Sequence, residues 1–181
     1  MKRTSQKPFF TIWLTGLPCS GKTTIAKRLI EKLNQDRSLN RGIKFINLDG
    51  DDLRSKLNED LSFTPEDRAE NLRRVGHLAN LFNEKGLNVV CSFVSPTEEL
   101  RECALKNINN VFTVFVKCSS EKCAERDVKG MWKKAKAGEI KMFTGLTAPY
   151  DPPNDPDLIL GTEESTVEEC VDKLISVLTN N

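Results

Sequence analysis

Gly16-Leu17-Pro18-Cys19-Ser20-Gly21-Lys22-Thr23 decides how this chain is read. These residues fit the pattern G-x-x-x-x-G-K-[ST]. Before them, Phe9-Phe10-Thr11-Ile12-Trp13-Leu14 is an apolar, β-prone run. After them, Ile25, Ala26, Leu29, Ile30 and Leu33 recur at helical spacing. Strand, glycine-bounded loop and helix therefore follow one another, as they do where a P-loop cradles phosphates. Glycine lets the backbone turn so that its N–H groups converge on phosphate oxygens, and the helix N-terminus adds partial positive charge. Residues Gly16 to Thr24 are the expected nucleotide contacts. Lys22 reaches the β- and γ-phosphates, and Thr23 offers its hydroxyl to Mg²⁺. The chain is expected to bind a nucleoside triphosphate.

Working outward, the bulk properties set limits. The 181 residues carry a net charge of only +1, so no excess of positive charge calls for nucleic acid or an anionic membrane. No apolar run approaches the roughly 20 residues that span a bilayer. The first seven residues are basic but lack the apolar core of a secretory leader. The six cysteines, Cys19, Cys91, Cys103, Cys118, Cys123 and Cys170, form no C-x-x-C pair. With His77 the one histidine, they give no zinc site. Free thiols suit a reducing, cytoplasmic setting. Cys91 and Cys118 read as buried thiols. Cys19 has two readings: a small residue that fits the loop, or a thiolate stabilised by the helix dipole and Lys22.

Strand-like runs at 9–14, 43–48, 87–94, 111–117 and 157–160 alternate with helical patterns at 22–34, 65–84, 97–106, 121–137 and 166–178. Continuous apolar runs such as Val111-Phe112-Thr113-Val114-Phe115-Val116 suit strands covered on both faces. Thr166 with Glu169 reads as a capping box. The expected fold is α/β: a three-layer P-loop NTPase fold whose parallel five-stranded sheet has helices on both faces, with a lid loop. The expected organisation is one kinase domain over 1–181, with a short tail at 1–8 and a lid or substrate loop at 129–156.

A second constellation, Asp49-Gly50-Asp51-Asp52-Leu53-Arg54, follows the second strand. Ligands in open α/β sheets sit beyond the carboxyl ends of strands, which brings these carboxylates near the P-loop. Phosphoryl transfer to a hydroxyl needs Mg²⁺ on the phosphates and a carboxylate for the acceptor's proton. Asp51 suits the base, and Asp49, with Thr23, the metal side. A surface turn with a helix N-cap is the plainer alternative. Arg54, Arg68, and Arg73 or Arg74 offer guanidinium forks to an anionic acceptor, and Asn71 shares the helix face of Arg68. Further on, Arg126-Asp127-Val128-Lys129-Gly130 leads through Lys133, Lys134 and Lys136 to Met142-Phe143-Thr144-Gly145. This reads either as a lid closing over phosphates or as a solvated lysine face with a loop. Phe63 and Phe143 lie in loops, where stacking on a flat base would use them. His77 is read as a packed or solvent-facing helix residue.

In combination, Trp13-Leu14-Thr15-Gly16-Leu17, the P-loop, Leu48-Asp49-Gly50-Asp51, 67–74, Val94-Ser95-Pro96, 126–130, 134–141, 143–145 and Pro149-Tyr150 resemble the adenylylsulfate kinases. The resemblance covers 10–178. It implies transfer of the γ-phosphate of ATP, with Mg²⁺, to the 3′-hydroxyl of adenosine 5′-phosphosulfate, and a homodimer. It further implies that Asp51 handles the 3′-hydroxyl and that Arg54, Arg68 and Asn71 hold phosphosulfate and ribose. Phe63 and Phe143 would sandwich the acceptor adenine, with Val94, Ser95, Lys129 and Met142 completing that pocket and Arg126 near the ATP base. Ser95 matches a serine proposed in that family as a phosphorylated intermediate. This chain departs from the family at Pro18-Cys19, Ser62 and Met142, where glycine or serine is usual. The alternatives are the same chemistry on another small anionic, nucleotide-like acceptor, or a nucleotide-binding regulatory module.

Overall fold

Five short apolar runs become five parallel strands: β1 (Thr11–Thr15), β2 (Phe45–Asp49), β3 (Asn88–Ser92), β4 (Val111–Lys117) and β5 (Leu158–Gly161). The computed structural model describes residues 9–36, 39 and 42–180, so the expected tail at 1–8 lies outside it. The helices are α1 (Lys22–Gln35), α2 (Gly50–Arg54), α3 (Pro65–Glu84), α4 (Glu98–Leu105), α5 (Ser120–Glu125), α6 (Met131–Lys136) and α7 (Val167–Asn180). The strand order is β2-β3-β1-β4-β5. Connections reverse direction beside β1, which opens a crevice at its carboxyl end.

The sheet is covered on both faces, as its continuous apolar strands require. On one face α1 and α7 bury Ile25, Leu29, Val171 and Leu174 against Ile12, Leu14, Val114, Val116 and Leu160. On the other, α3 and α4 bury Leu72, Val75, Ala79 and Ala104 against Trp13, Val89, Cys91 and Phe93. Close approach of α3 to α4 depends on Gly76, where a Cβ would stand 2.3 Å from the Ala104 carbonyl oxygen. The capping box holds: Glu169 N–H donates to Thr166 Oγ1 at 3.3 Å, and Thr166 N–H donates to Glu169 Oε2 at 2.7 Å.

Two local features differ from the sequence expectation. The helix expected over 121–137 is two helices, α5 and α6, broken at Arg126–Gly130. Asp127 accepts from the backbone N–H groups of Met131 and Lys133 at 2.9 and 3.2 Å, and Gly130 has φ 68°, so the chain turns and starts a new helix. The short helix α2 is the other: Asp49 accepts from Asp51 N–H at 3.0 Å and caps it. A third, small core lies between these pieces. Cys118, Cys123, Trp132, Ala135 and Phe143 bury one another beside Leu17 and Cys19.

Candidate active site

The P-loop joins β1 to α1. Gly16 passes so close to β4 that a Cβ would stand 2.5 Å from the Val116 carbonyl oxygen. Gly21 has φ 101° and Cys19 φ 67°, the second an unusual conformation for a residue with a side chain. Lys22 turns back into the loop, donating to the carbonyls of Gly16 at 2.9 Å and Leu17 at 2.7 Å. Burial lowers its ammonium to about 8, against the ordinary 10.5. Ser20 is buried and Thr24 exposed, with the Ser20 carbonyl accepting from Thr162 Oγ1 at 3.0 Å. Burial and the neighbouring Asp127 carboxylate raise the Cys19 thiol, and its Sγ lies 3.9 Å from Asp127 Oδ1, which supports the reading of Cys19 as a small residue that fits the loop.

Thr23 and Asp49 meet: Thr23 donates its hydroxyl to Asp49 Oδ2 at 2.8 Å. Ser92 donates to the same oxygen at 2.8 Å. Burial would raise the Asp49 carboxyl, but hydrogen bonds from Thr23, Ser92 and the N–H groups of Asp51 and Asp52 together bring it below its ordinary value. A hydroxyl beside an ionised carboxylate suits Mg²⁺, which takes few protein oxygens and shares the rest of its shell with phosphates and water. Asp49 is thus an N-cap and a metal-side candidate at once. Among the described residues no three His, Cys, Asp or Glu side chains cluster as a metal site in their own right.

On the acceptor side, Asp51 projects into solvent and is ion-paired with Lys129 of the α5–α6 turn. Asp51 raises the Lys129 ammonium above its ordinary value. Arg54 donates to the Ser62 carbonyl at 2.8 Å and lies 4.4 Å over the Phe63 ring. Arg68 donates to the Phe63 carbonyl at 3.0 Å and to the Met142 carbonyl at 2.8 Å. It therefore ties the two loops that carry the candidate aromatics. Phe63 is 57% exposed and Met142 45% exposed, so both are available as an upper wall. Asn71 is buried, its Oδ1 accepting from Asn58 Nδ2 at 3.0 Å. Arg73 and Arg74 leave the cluster because nearer carboxylates hold them. Arg73 pairs with Glu70, and Arg74 with Glu70 and Asp60. His77 is exposed, as expected.

Two placements change the sequence reading. Phe143 is 7% exposed and packs edge-on against Trp132, with ring centres 5.0 Å apart, so it has a core to fill after all. Ser95 is 2% exposed, with φ 36°. Its hydroxyl accepts from Trp13 Nε1 at 3.2 Å and donates to Thr15 Oγ1 at 2.9 Å. With both its donor and an acceptor position used inside the fold, the hydroxyl is not directed at a phosphate. The Ser95 carbonyl accepts from buried Arg101 at 2.9 Å, and the half-buried Val94 gives its carbonyl to Thr15 Oγ1 at 2.8 Å. Arg126 donates to the Thr162 hydroxyl at 3.1 Å and its carbonyl at 2.7 Å, standing at the end of β5. Asp127, Thr162, Arg101 and Trp132 support the site without a role expected from the sequence. Only Asp127 carried a signal, an Asp shortly before a glycine and a new apolar pair.

A cavity of about 710 Å³ lies apart from the acceptor-side residues, between the end of β4 and the 145–152 segment. Phe115, Lys117, Leu146, Tyr150 and Glu163 are among its walls, and of the P-loop it touches Leu17. No helix among the described residues is long and apolar enough to cross a membrane.

Comparison with known proteins bears on this site. A family model for adenylylsulphate kinase matches residues 8–161. The adenylyl-sulfate kinase of Staphylococcus epidermidis is 44% identical over 169 residues, 92% of this chain and 82% of that protein. That of Halothermothrix orenii is 44% identical over 168 residues, 93% and 88% of the two chains. The structure of the Mycobacterium tuberculosis APS kinase CysC in complex with AMPPNP and APS superposes with a TM-score of 0.87 at 41% identity, covering 94% of this chain and 98% of that one. Shikimate kinase from Aquifex aeolicus, at 19% identity and a TM-score of 0.51, shares the fold.

Proposed function

This chain belongs to the adenylylsulphate kinase family, and from that premise we propose which of its residues carry the reaction. It is an ATP-dependent adenylyl-sulfate kinase, transferring the γ-phosphate of ATP to the 3′-hydroxyl of adenosine 5′-phosphosulfate. The observation that supports the assignment is one junction. Thr23, in the first turn of α1, meets Asp49 at the end of β2, and Asp51, two residues on, is ion-paired with Lys129 of the α5–α6 turn.

In this reading the P-loop N–H groups and Lys22 hold the β- and γ-phosphates of ATP, and Arg126 stands by its base. Thr23 and Asp49 are the protein oxygens for Mg²⁺, which when bound neutralises phosphate charge. Phe63 and the edge of Phe143 enclose the acceptor adenine, with Met142 at the rim and the Val94–Ser95 backbone behind. Arg54 and Arg68 meet the phosphosulfate. Asn71 acts from beneath by fixing the neighbouring Asn58. Asp51 accepts the 3′-hydroxyl proton as that oxygen bonds to the γ-phosphorus and ADP departs. Lys129 then sits where negative charge spreads over the transferring group. Its ion pair with Asp51 is exposed, so opening it costs no more than about 1 kcal/mol. The 129–156 segment serves as the lid, the enzyme works as a homodimer, and the cytoplasm is its compartment.

The test is ATP-dependent phosphorylation of adenosine 5′-phosphosulfate by the purified chain with Mg²⁺. Acceptor-dependent ADP release with formation of the 3′-phosphorylated product is expected. ATP binding without acceptor-dependent turnover would overturn the reading.

A further inference from the structure

Trp132 joins two parts of the candidate site, the P-loop and the turn that carries Phe143. Its ring is 2% exposed, and its indole N–H donates to the carbonyl of Pro18, in the middle of the P-loop, at 3.2 Å. Indole nitrogen can only donate, and a buried one needs a partner. Proline has no N–H to give a phosphate, so at Pro18 the loop presents a carbonyl alone, and Trp132 takes it. On its other side the ring meets Phe143 edge to face, at 76° and 5.0 Å.

The contact is tight. Gly145 has φ 90°, and a Cβ there would stand 3.2 Å from the Trp132 ring and 2.5 Å from the Leu17 side chain. The turn holding Phe143 is braced as well. Its carbonyl accepts from the N–H groups of Thr147 and Ala148, both at 3.0 Å, and its own N–H donates to Thr147 Oγ1 at 2.9 Å. The preceding carbonyl, that of Met142, is held by Arg68, which also grips the Phe63 loop. One unbroken set of contacts thus runs from Pro18 through Trp132 and Phe143 to Arg68 and Phe63.

We propose that Trp132 is a positioning residue that couples the two nucleotide sites: nucleotide phosphates fixing the P-loop fix its indole, and the indole fixes the Phe143 wall of the acceptor pocket. Trp132 touches neither substrate. Binding of one nucleotide then orders the contact that the other needs, so each raises the affinity for the other by the same factor. The inference rests on the assignment of Phe143 to the acceptor wall.

The experiment uses the full chain with Mg²⁺. The dissociation constant of adenosine 5′-phosphosulfate is measured by calorimetry, without and with a saturating non-hydrolysable ATP analogue. The unsubstituted protein should bind the acceptor about fivefold or more tightly with the analogue present, within the usual range of such couplings. Trp132→Phe keeps most of the ring and loses the N–H. It should bring that ratio to within about twofold of one, while each dissociation constant measured alone moves little; the melting temperature should fall by the packing and hydrogen bond lost, with the chain still folded at the assay temperature. A ratio of one in the unsubstituted protein, or an unchanged ratio in Trp132→Phe, overturns the proposal. Phe143→Leu tells the two failures apart. If it leaves the acceptor constant unchanged, the wall assignment falls and the inference with it. If it weakens the acceptor while Trp132→Phe keeps the ratio, the inference alone falls. Should Trp132→Phe not fold, the unsubstituted protein still decides by NMR. It has two tryptophans, and the Trp132 indole N–H signal should shift on adding either nucleotide alone. An indole signal that ignores either one overturns the coupling.

Discussion

Raising the pH through the neighbourhood of 8 should loosen the grip on ATP, because Lys22 is buried enough to lose its proton there. Burial lowers it from 10.5 to about 8 in the free protein, where two backbone carbonyls are its main partners. Phosphate oxygens favour the charged form. If they restore the ordinary value, the difference between the free and bound protein is worth about 3 kcal/mol. Below the free value the lysine is charged in both states and affinity is flat. Above it, binding must take up a proton, and the dissociation constant should rise about tenfold per pH unit. The free protein should show the opposite slope. Its unfolded chain holds the Lys22 proton up to 10.5 and its folded chain gives it up near 8, so this lysine's contribution to stability rises with pH. The buried Cys91 and Cys123 thiols, pushed up by burial from 9.0, reverse that trend once unfolded thiols ionise. The clean window is therefore about 8–9. Calorimetry with a non-hydrolysable ATP analogue, in two buffers of different ionisation enthalpy, reads affinity and proton uptake together. A dissociation constant that stays flat across that window, with no proton uptake, would refute the reasoning.

Asp51→Asn should lower turnover at least about 100-fold by removing the proton acceptor. It should barely move the melting temperature, since the lost partner, Lys129, is an exposed one, and analogue binding should persist. Phe63→Ala should raise KM for the acceptor about tenfold or more with little effect on KM for ATP, because stacking on a base is worth ~1–3 kcal/mol. Gly76→Ala, far from the chemistry, should destabilise the fold by about 1–3 kcal/mol, since the new methyl meets the α4 backbone at Ala104 and neither helix can yield. Thermal denaturation checks it, and an unchanged melting temperature would show that α3 and α4 slip past one another freely.

The parallel α/β layering, the P-loop and the acidic turn after β2 are all legible along the chain. Each is written in neighbouring residues: glycines at a fixed spacing, apolar runs ending in turns, a cap three residues from its partner. The break between α5 and α6 was obscured because the lysines and alanines around it suit a helix, and the carboxylate that holds the first N–H groups of α6, that of Asp127, lies within the same run. Which polar groups remain to act depends on contacts made only in the folded chain. Arg73 and Arg74 resemble Arg68 in sequence, yet Glu70 and Asp60 hold them while Arg68 bridges the two loops. Ser95 follows a strand like any site serine, but Trp13 and Thr15 engage its hydroxyl. Asp51 meets Lys129 across 78 residues of chain, and Trp132 reaches Pro18 across 114. The physical reason is competition. A side chain's role depends on which partners the fold brings within about 3 Å, and partners distant in sequence become neighbours only once the sheet and its two helical layers have assembled.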